Sequence, residues 1–259
     1  MYKRQEIGEP NTFGGYLLIM MCITIGLFLT STSLRAQLIY GTLVFLFIVP
    51  LIYTQSRGSY LALIPAMLAF VWLSEKNHIV FLVLVLAALL LPFIAPEPAE
   101  ERVAYTFTQG KNEPSAVEIL GVKLDTSTSA RLISWKNVSK EWIKRPFFGF
   151  GVTGYGFIDG QYFRVLIETG ILGLVAFSVL VYSIFGQGYH IFRESLKPLE
   201  RGISMGFLAG FIGLLAQGLS ANTFTIIRIM EPFWFVLAIV IMLPSLELNS
   251  VTDKNLEIV

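Results

Sequence analysis

Apolar residues fall into seven runs, at 14–30, 38–53, 59–73, 79–95, 162–185, 203–219 and 232–243, separated mostly by short polar turns. Runs of this kind read as transmembrane helices, because about 20 apolar residues at a 1.5 Å rise cross a hydrocarbon core about 30 Å thick. The run 59–73 is short for that purpose and is expected to borrow flanking residues or to sit inside the bundle. The pattern predicts an all-α, polytopic transmembrane bundle: four spans in 1–95, a long loop at 96–158, three spans in 159–246, and a loose tail at 247–259. Span alternation places the long loop, the turn at 54–58 and the turn at 220–231 on one side, whichever way the protein faces.

Within the long loop, 127–146 has the pattern of an amphipathic helix, with Ser and Thr at its start and Pro146 to stop it. At 100° per residue, Arg131, Trp135, Val138, Trp142 and Arg145 share an arc of about 80°, and Lys136, Lys140 and Lys144 lie opposite. Hydrated lysine ammoniums suit water or lipid phosphates. Arginines set among tryptophans suit a partly dry surface that grips a diphosphate through two N–H groups at once. An interfacial helix with snorkelling ends accounts for the same pattern.

Composition supports the membrane assignment. Hydrophobic residues make up 54% and charged residues 14% of the 259-residue chain, against about 25% charged in soluble proteins. A net charge of +1, with no basic run longer than two residues, argues against a nucleic-acid partner. Cys22 is a single cysteine and cannot form an internal disulfide; with only His78 and His190 beside it, no Cys/His zinc set is expected. Lys3 and Arg4 precede the first apolar run as in a signal peptide, but Glu6 and Glu9 spoil that flank. In the short segments, Arg35, Lys76, Arg193, Lys197, Arg201 and Lys254 outnumber Lys3, Arg4, Arg57 and Arg228 on the other side. The positive-inside rule then makes the tail cytoplasmic, and the long loop and N-terminus extracytoplasmic.

Polar residues gather on the loop's side. Asp159, Gln161, Arg164 and Glu168 lead into the fifth span, Glu168 lying about 13 Å along a continuous helix from Asp159. Arg164 and Glu168 are four apart and able to neutralise one another; alternatively they face a watery cleft. Gln217, Asn222 and Arg228 flank the turn between spans six and seven, and Arg57 sits between spans two and three. Gly202, Gly206 and Gly210 form a small-residue ladder for close helix packing. Gly149, Gly151, Gly154 and Gly156 could let backbone N–H groups approach an anion, but with no preceding strand they are not a dinucleotide motif, and a flexible re-entry turn is expected.

These residues resemble the O-antigen ligase and polymerase family. The matching pieces begin with the stretch Gly8 to Leu18, Gln55-Ser-Arg57-Gly-Ser59, and Arg131-x3-Trp135 followed by Arg145-Pro-Phe-Phe-Gly149-x-Gly151. They continue with Asp159-Gly-Gln161-Tyr-Phe-Arg164-x3-Glu168-Thr-Gly170-x2-Gly173 and Asn222-Thr-Phe-x3-Arg228-x2-Glu231-Pro-Phe-Trp234. Arg145-x10-Gly156 also fits an arginine-to-glycine spacing of the polymerases. The resemblance implies a metal-independent glycosyltransferase with no cofactor, whose donor is a polyprenyl-diphosphate-linked oligosaccharide in the cytoplasmic membrane. It implies Asp159 and Glu168 as catalytic carboxylates, and Arg57, Arg131, Arg145, Gln161, Arg164 and Arg228 as ligands of the diphosphate or glycan. Arginines take over the role of a metal by stabilising the charge that builds on the leaving diphosphate.

Ligases of lipopolysaccharide carry a His-Asn pair where this chain has Asp159-Gly160, so the resemblance favours repeat-unit polymerisation, with ligation to a lipid or protein acceptor as the alternative. Family members have about a dozen spans; this chain resembles their C-terminal part, which implies upstream helices or a partner chain that supplies them. Non-enzymatic readings are a polysaccharide permease, expected to show a repeat and interrupted helices with midplane polar residues, or a membrane subunit.

Overall fold

The computed structural model describes residues 10–74, 117–119, 122–123 and 125–256. Six of the seven expected spans are helices; the fourth run, 79–95, lies outside the described residues. They are α1 (Pro10–Thr30), α2 (Leu34–Tyr53), α3 (Arg57–Leu73), α5 (Gln161–Glu194), α6 (Pro198–Gln217) and α7 (Ile227–Leu256). All but α3 are long and apolar enough to cross a membrane, and the chain is a multi-pass helical membrane protein. In the polar loop, a hairpin of two-residue strands, β1 (Glu118–Ile119) and β2 (Val122–Lys123), precedes α4 (Thr126–Glu141) and a single 3-10 turn, Trp142–Lys144.

Local chemistry sets the helix starts. Ser33 caps α2 by accepting from Ala36 N, Ser56 caps α3 from Ser59 N, and Asp125 caps α4 from Thr128 N. Each side chain satisfies a first-turn N–H that has no partner inside the helix. Pro198 opens α6, where its missing N–H costs nothing. The bundle is organised around α6, which touches α1, α3, α5 and α7. Its glycine ladder packs as expected: a Cβ on Gly206 would lie 2.5 Å from the Cα of Ile23, so glycine is what lets α1 lie against α6. On the other faces Phe207 and Phe211 are buried against Phe233 of α7, and Ala62, Ala66 and Phe70 of α3 close the core.

α7 runs through Pro244 to Leu256. One expectation fails: the fifth span is not one straight helix. At Gly170 (φ 69°, ψ −166°) the chain leaves helical geometry and divides α5 into arms 161–169 and 171–194. The fold at Gly170 is sharp: the rings of Tyr162 and Phe177 lie 6.2 Å apart, whereas about 22 Å of straight helix would separate those residues.

The break is mended by the polar loop. Phe150 N donates to Ile167 O (2.9 Å) and Gly151 N to Glu168 O (2.8 Å), while Ile171 N donates to Pro146 O (2.8 Å) and Leu172 N to Phe147 O (3.4 Å). Orphaned groups at both helix ends thereby find partners. A Cβ on Gly170 would sit 2.3 Å from Phe147 O, and one on Gly149 2.6 Å from Glu168 O, so both glycines are sterically required. The re-entry role expected of the loop glycines belongs to Gly149 and Gly151, both at positive φ.

Candidate active site

One end of the bundle gathers the starts of α1, α3, α5 and α7 with the ends of α2 and α6, as span alternation requires. Gln217, at the end of α6 and fully buried, is the hub. Its Nε2 donates to the carbonyl of Asn11 and to Ser59 Oγ, both at 2.9 Å, and its Oε1 accepts from Thr223 Oγ1. Ser56 Oγ donates to Asn11 Oδ1 at 2.7 Å. The start of α5 is fixed to the same hub: Gln161 N donates to Gly218 O at 2.8 Å, and Gln161 Oε1 accepts from Phe224 N at 3.0 Å. Asn222 Nδ2 donates to Ile158 O at 2.7 Å. Buried amides linked this densely hold a fixed geometry, because a broken member would leave a polar group without a partner.

Around this floor stand three ion pairs. Arg57 Nη2 meets Asp125 Oδ2 at 2.7 Å, Arg131 Nε lies 3.6 Å from Asp159 Oδ2, and Arg164 Nε is 3.2 Å from Glu168 Oε1. Burial raises the Asp125 carboxyl pKa, but the Arg57 guanidinium and the Thr128 donors outweigh it and hold the group below the ordinary carboxylate value. The Arg131 pair is looser. Its Nε is buried without a hydrogen-bond partner, and the Asp159 side chain is 39% exposed. Asp159 is held instead by its backbone, whose carbonyl accepts from Trp135 Nε1 at 2.8 Å. Trp135 stacks on Phe163, so α4 lies against the first arm of α5 through an aromatic pair. Glu168 is more enclosed, at 14% side-chain exposure, and also accepts from Thr153 N at 3.3 Å.

The eight expected site residues therefore divide. Arg131 of α4 pairs with Asp159 just before α5, Arg164 pairs with Glu168 on the first arm of α5, which Gln161 opens, and Arg57 reaches the start of α4 through Asp125. Arg145 departs from the predicted stripe. The helix ends in a 3-10 turn and Arg145 takes φ −141°, so it leaves the face carrying Arg131 and Trp135; its guanidinium lies 5.2 Å over the Phe150 ring. Val138 and Trp142 face inward, onto Ile158, Ile167 and Phe163. Arg145 and Arg228 are both exposed. Asp159 lies at the bundle end, next to Gln161, while Glu168 is beside the Gly170 turn. Among the described residues no group of three or more His, Cys, Asp or Glu could hold a metal ion.

Sequence reasoning passed over Asp125, Asn11, Ser56 and Ser59. The acidic residue directly before a Ser/Thr-rich helix start was the available signal for Asp125. Asn11 and the two serines lie in motifs that were recognised, but nothing local says that they meet Gln217.

A family model described as O-antigen ligase matches residues 41–178, more than half of the chain. The chain belongs to the O-antigen ligase family. The match runs from α2 to the middle of α5 and so takes in Arg57, α4 with Arg131, Asp159, the first arm of α5 and Gly170 with the start of the second arm. For a member of this family, a membrane-embedded ligase or polymerase type of glycan transfer on a lipid-linked glycan is the general activity implied. Among curated proteins, none matches the chain.

Proposed function

We propose that this chain carries a site for metal-independent glycosyl transfer that extends a polyprenyl-diphosphate-linked glycan by whole repeat units, on the extracytoplasmic side of the cytoplasmic membrane. The observation that carries this reading is the contrast between the two carboxylates at the site. Asp159 is half-exposed, loosely paired and rigidly positioned through its backbone, as a proton acceptor should be. Glu168 is committed to Arg164 and to the Thr153 amide, as a structural clasp should be.

The acceptor sugar's hydroxyl gives its proton to Asp159 while its oxygen attacks the donor's anomeric carbon. The bond from that carbon to the diphosphate oxygen breaks, and its electron pair leaves with the diphosphate. Arg131, with Arg57, Arg164, Arg145 and Arg228 on the same side of the bundle, stabilises the charge that accumulates there. Gln161 orders the floor against which the glycan rests. The test is a polymerisation assay with Asp159→Asn and Glu168→Gln at matched protein level. Asp159→Asn is expected to abolish chain extension, and Glu168→Gln, which keeps an oxygen for the Thr153 amide, is expected to retain most of it; the reverse order would remove Asp159 as the base.

The family description favours a second outcome, transfer of a finished glycan to a lipid or protein acceptor. A single shifted product would indicate ligation, and a ladder of repeat units polymerisation.

A further inference from the structure

The loop segment 146–151 is hydrogen-bonded to the Gly170 break, and that break stands beyond the end of α6. Gly188 faces Leu208, and Phe177, Val181 and Phe185 line one cavity with Ile212 and Leu215, so the second arm of α5 runs alongside α6. From that alignment the arm continues past Gln217 by a distance on the order of 10 Å before it reaches Gly170.

We propose that the segment 146–151, although it belongs to the polar loop, is immersed in the lipid leaflet on the loop's side. The polar network around Gln161 and Asn222 then lies below the membrane surface as a recessed cleft.

Three observations converge. First, the stretch 171–192, which carries no Asp, Glu, Lys or Arg, is about 33 Å long, enough for a hydrocarbon core of about 30 Å, whereas the apolar part of α6, 203–216, gives only about 21 Å. The membrane boundary set by α5 is therefore at Gly170, not at Gln217. Second, the exposed apolar face of the second arm, with Val175 and Leu172, continues across the Leu172 N to Phe147 O bond onto Phe147 and Phe148, which are 63% and 78% exposed. The lipid-facing surface of the span thus extends onto the loop without a polar interruption. Third, irregular backbone is tolerated at membrane depth only when its polar groups are satisfied. Five of the segment's backbone groups meet that condition: Pro146 O, Phe147 O, Phe150 N and Gly151 N are used in mending α5, and Gly149 N donates to Arg145 O, while Pro146 brings no N–H. The exposed Lys136 and Lys140 on α4 supply cations at the level of the headgroups, complementary to anionic phospholipid.

The proposal concerns depth and needs no turnover, so its failure is distinguishable from failure of the glycosyl-transfer reading. The full chain carrying Cys22→Ala and Phe148→Cys is spin-labelled in vesicles of phosphatidylethanolamine and phosphatidylglycerol. Collision with oxygen, which concentrates in lipid, is compared with collision with a water-soluble nickel chelate, using Val175→Cys as the lipid reference and Lys140→Cys as the headgroup reference. Position 148 is expected to match Val175, with an oxygen-to-nickel ratio several-fold above that at Lys140. A ratio equal to or below that at Lys140 would overturn the proposal, and shielding from both reagents would replace lipid by a protein partner and overturn it too. A Phe148→Trp variant in brominated-lipid vesicles gives an independent reading: added quenching over the parent supports immersion, and its absence contradicts it.

Discussion

Arg57 and Asp125 lie 68 positions apart and meet at 2.7 Å, joining the first residue of α3 to the N-cap of the loop helix α4. Asp125 is only 2% exposed, and the same carboxylate caps α4. One side chain thus orients a candidate substrate arginine and starts the helix that carries another, Arg131.

Asp125→Ala is therefore expected to cost more than a surface ion pair. Removing one partner of a largely buried pair costs up to about 3 to 5 kcal/mol, with a further ~1 kcal/mol from the lost cap. Thermal unfolding in detergent micelles measures it. The pH dependence has a definite sign: the folded-state pKa of Asp125 is depressed, so its contribution is present above the unfolded value of about 3.9 and is lost as pH falls through the folded value. The variant should lose that acid-side sensitivity. An unchanged acid transition would show that the pair adds nothing to stability.

Gly170→Ala is expected to destabilise the loop–helix junction. The backbone there has positive φ with ψ near −166°, a region reserved for glycine and costing about 1 to 3 kcal/mol for other residues. The added Cβ would also meet Phe147 O at 2.3 Å. Gly186→Ala on the same helix meets open space and serves as the control. Faster proteolysis at 146–157 in Gly170→Ala, with Gly186→Ala unchanged, is the expected result.

The helices were legible in the sequence because burial in lipid demands long apolar runs, and the common side of the polar turns followed from counting spans. What stayed hidden was non-local. Gly170 reads as an ordinary small residue in an apolar helix until Phe147 O is brought against it. The 100° rule placed Arg145 on the stripe with Arg131, and failed because the 3-10 turn at Trp142–Lys144 breaks the register before Arg145 is reached. Asp159 and Glu168 were both visible as carboxylates, but their different duties depend on a backbone amide from Thr153 and an indole from Trp135.

An outward-facing loop predicts labelling of Asn137→Cys, exposed on α4, by a membrane-impermeant thiol reagent in intact cells, against a Cys22→Ala background. Reaction only after lysis would reverse the orientation and place the Arg131–Asp159 site on the cytoplasmic side.

The last expectation concerns Arg145, which is exposed and rests on the Phe150 ring in the segment that mends α5. Lysine in its place keeps a positive charge and can still sit over an aromatic ring, but it lacks the planar fork that grips two phosphate oxygens. If Arg145 binds the leaving diphosphate, Arg145→Lys should be nearly as damaging as Arg145→Ala. Loss of one such transition-state contact costs about 10² to 10³ in rate. Lys140→Ala, on the exposed face of α4, should be mild. A residue that only anchors the loop to the membrane or to Phe150 would behave differently, because lysine would preserve that contact and activity would survive. Polymer yield and length, read on gels at matched protein level, separate the two, and full activity in Arg145→Lys would remove this arginine from the diphosphate ligands while leaving Arg131 and Arg164 in place.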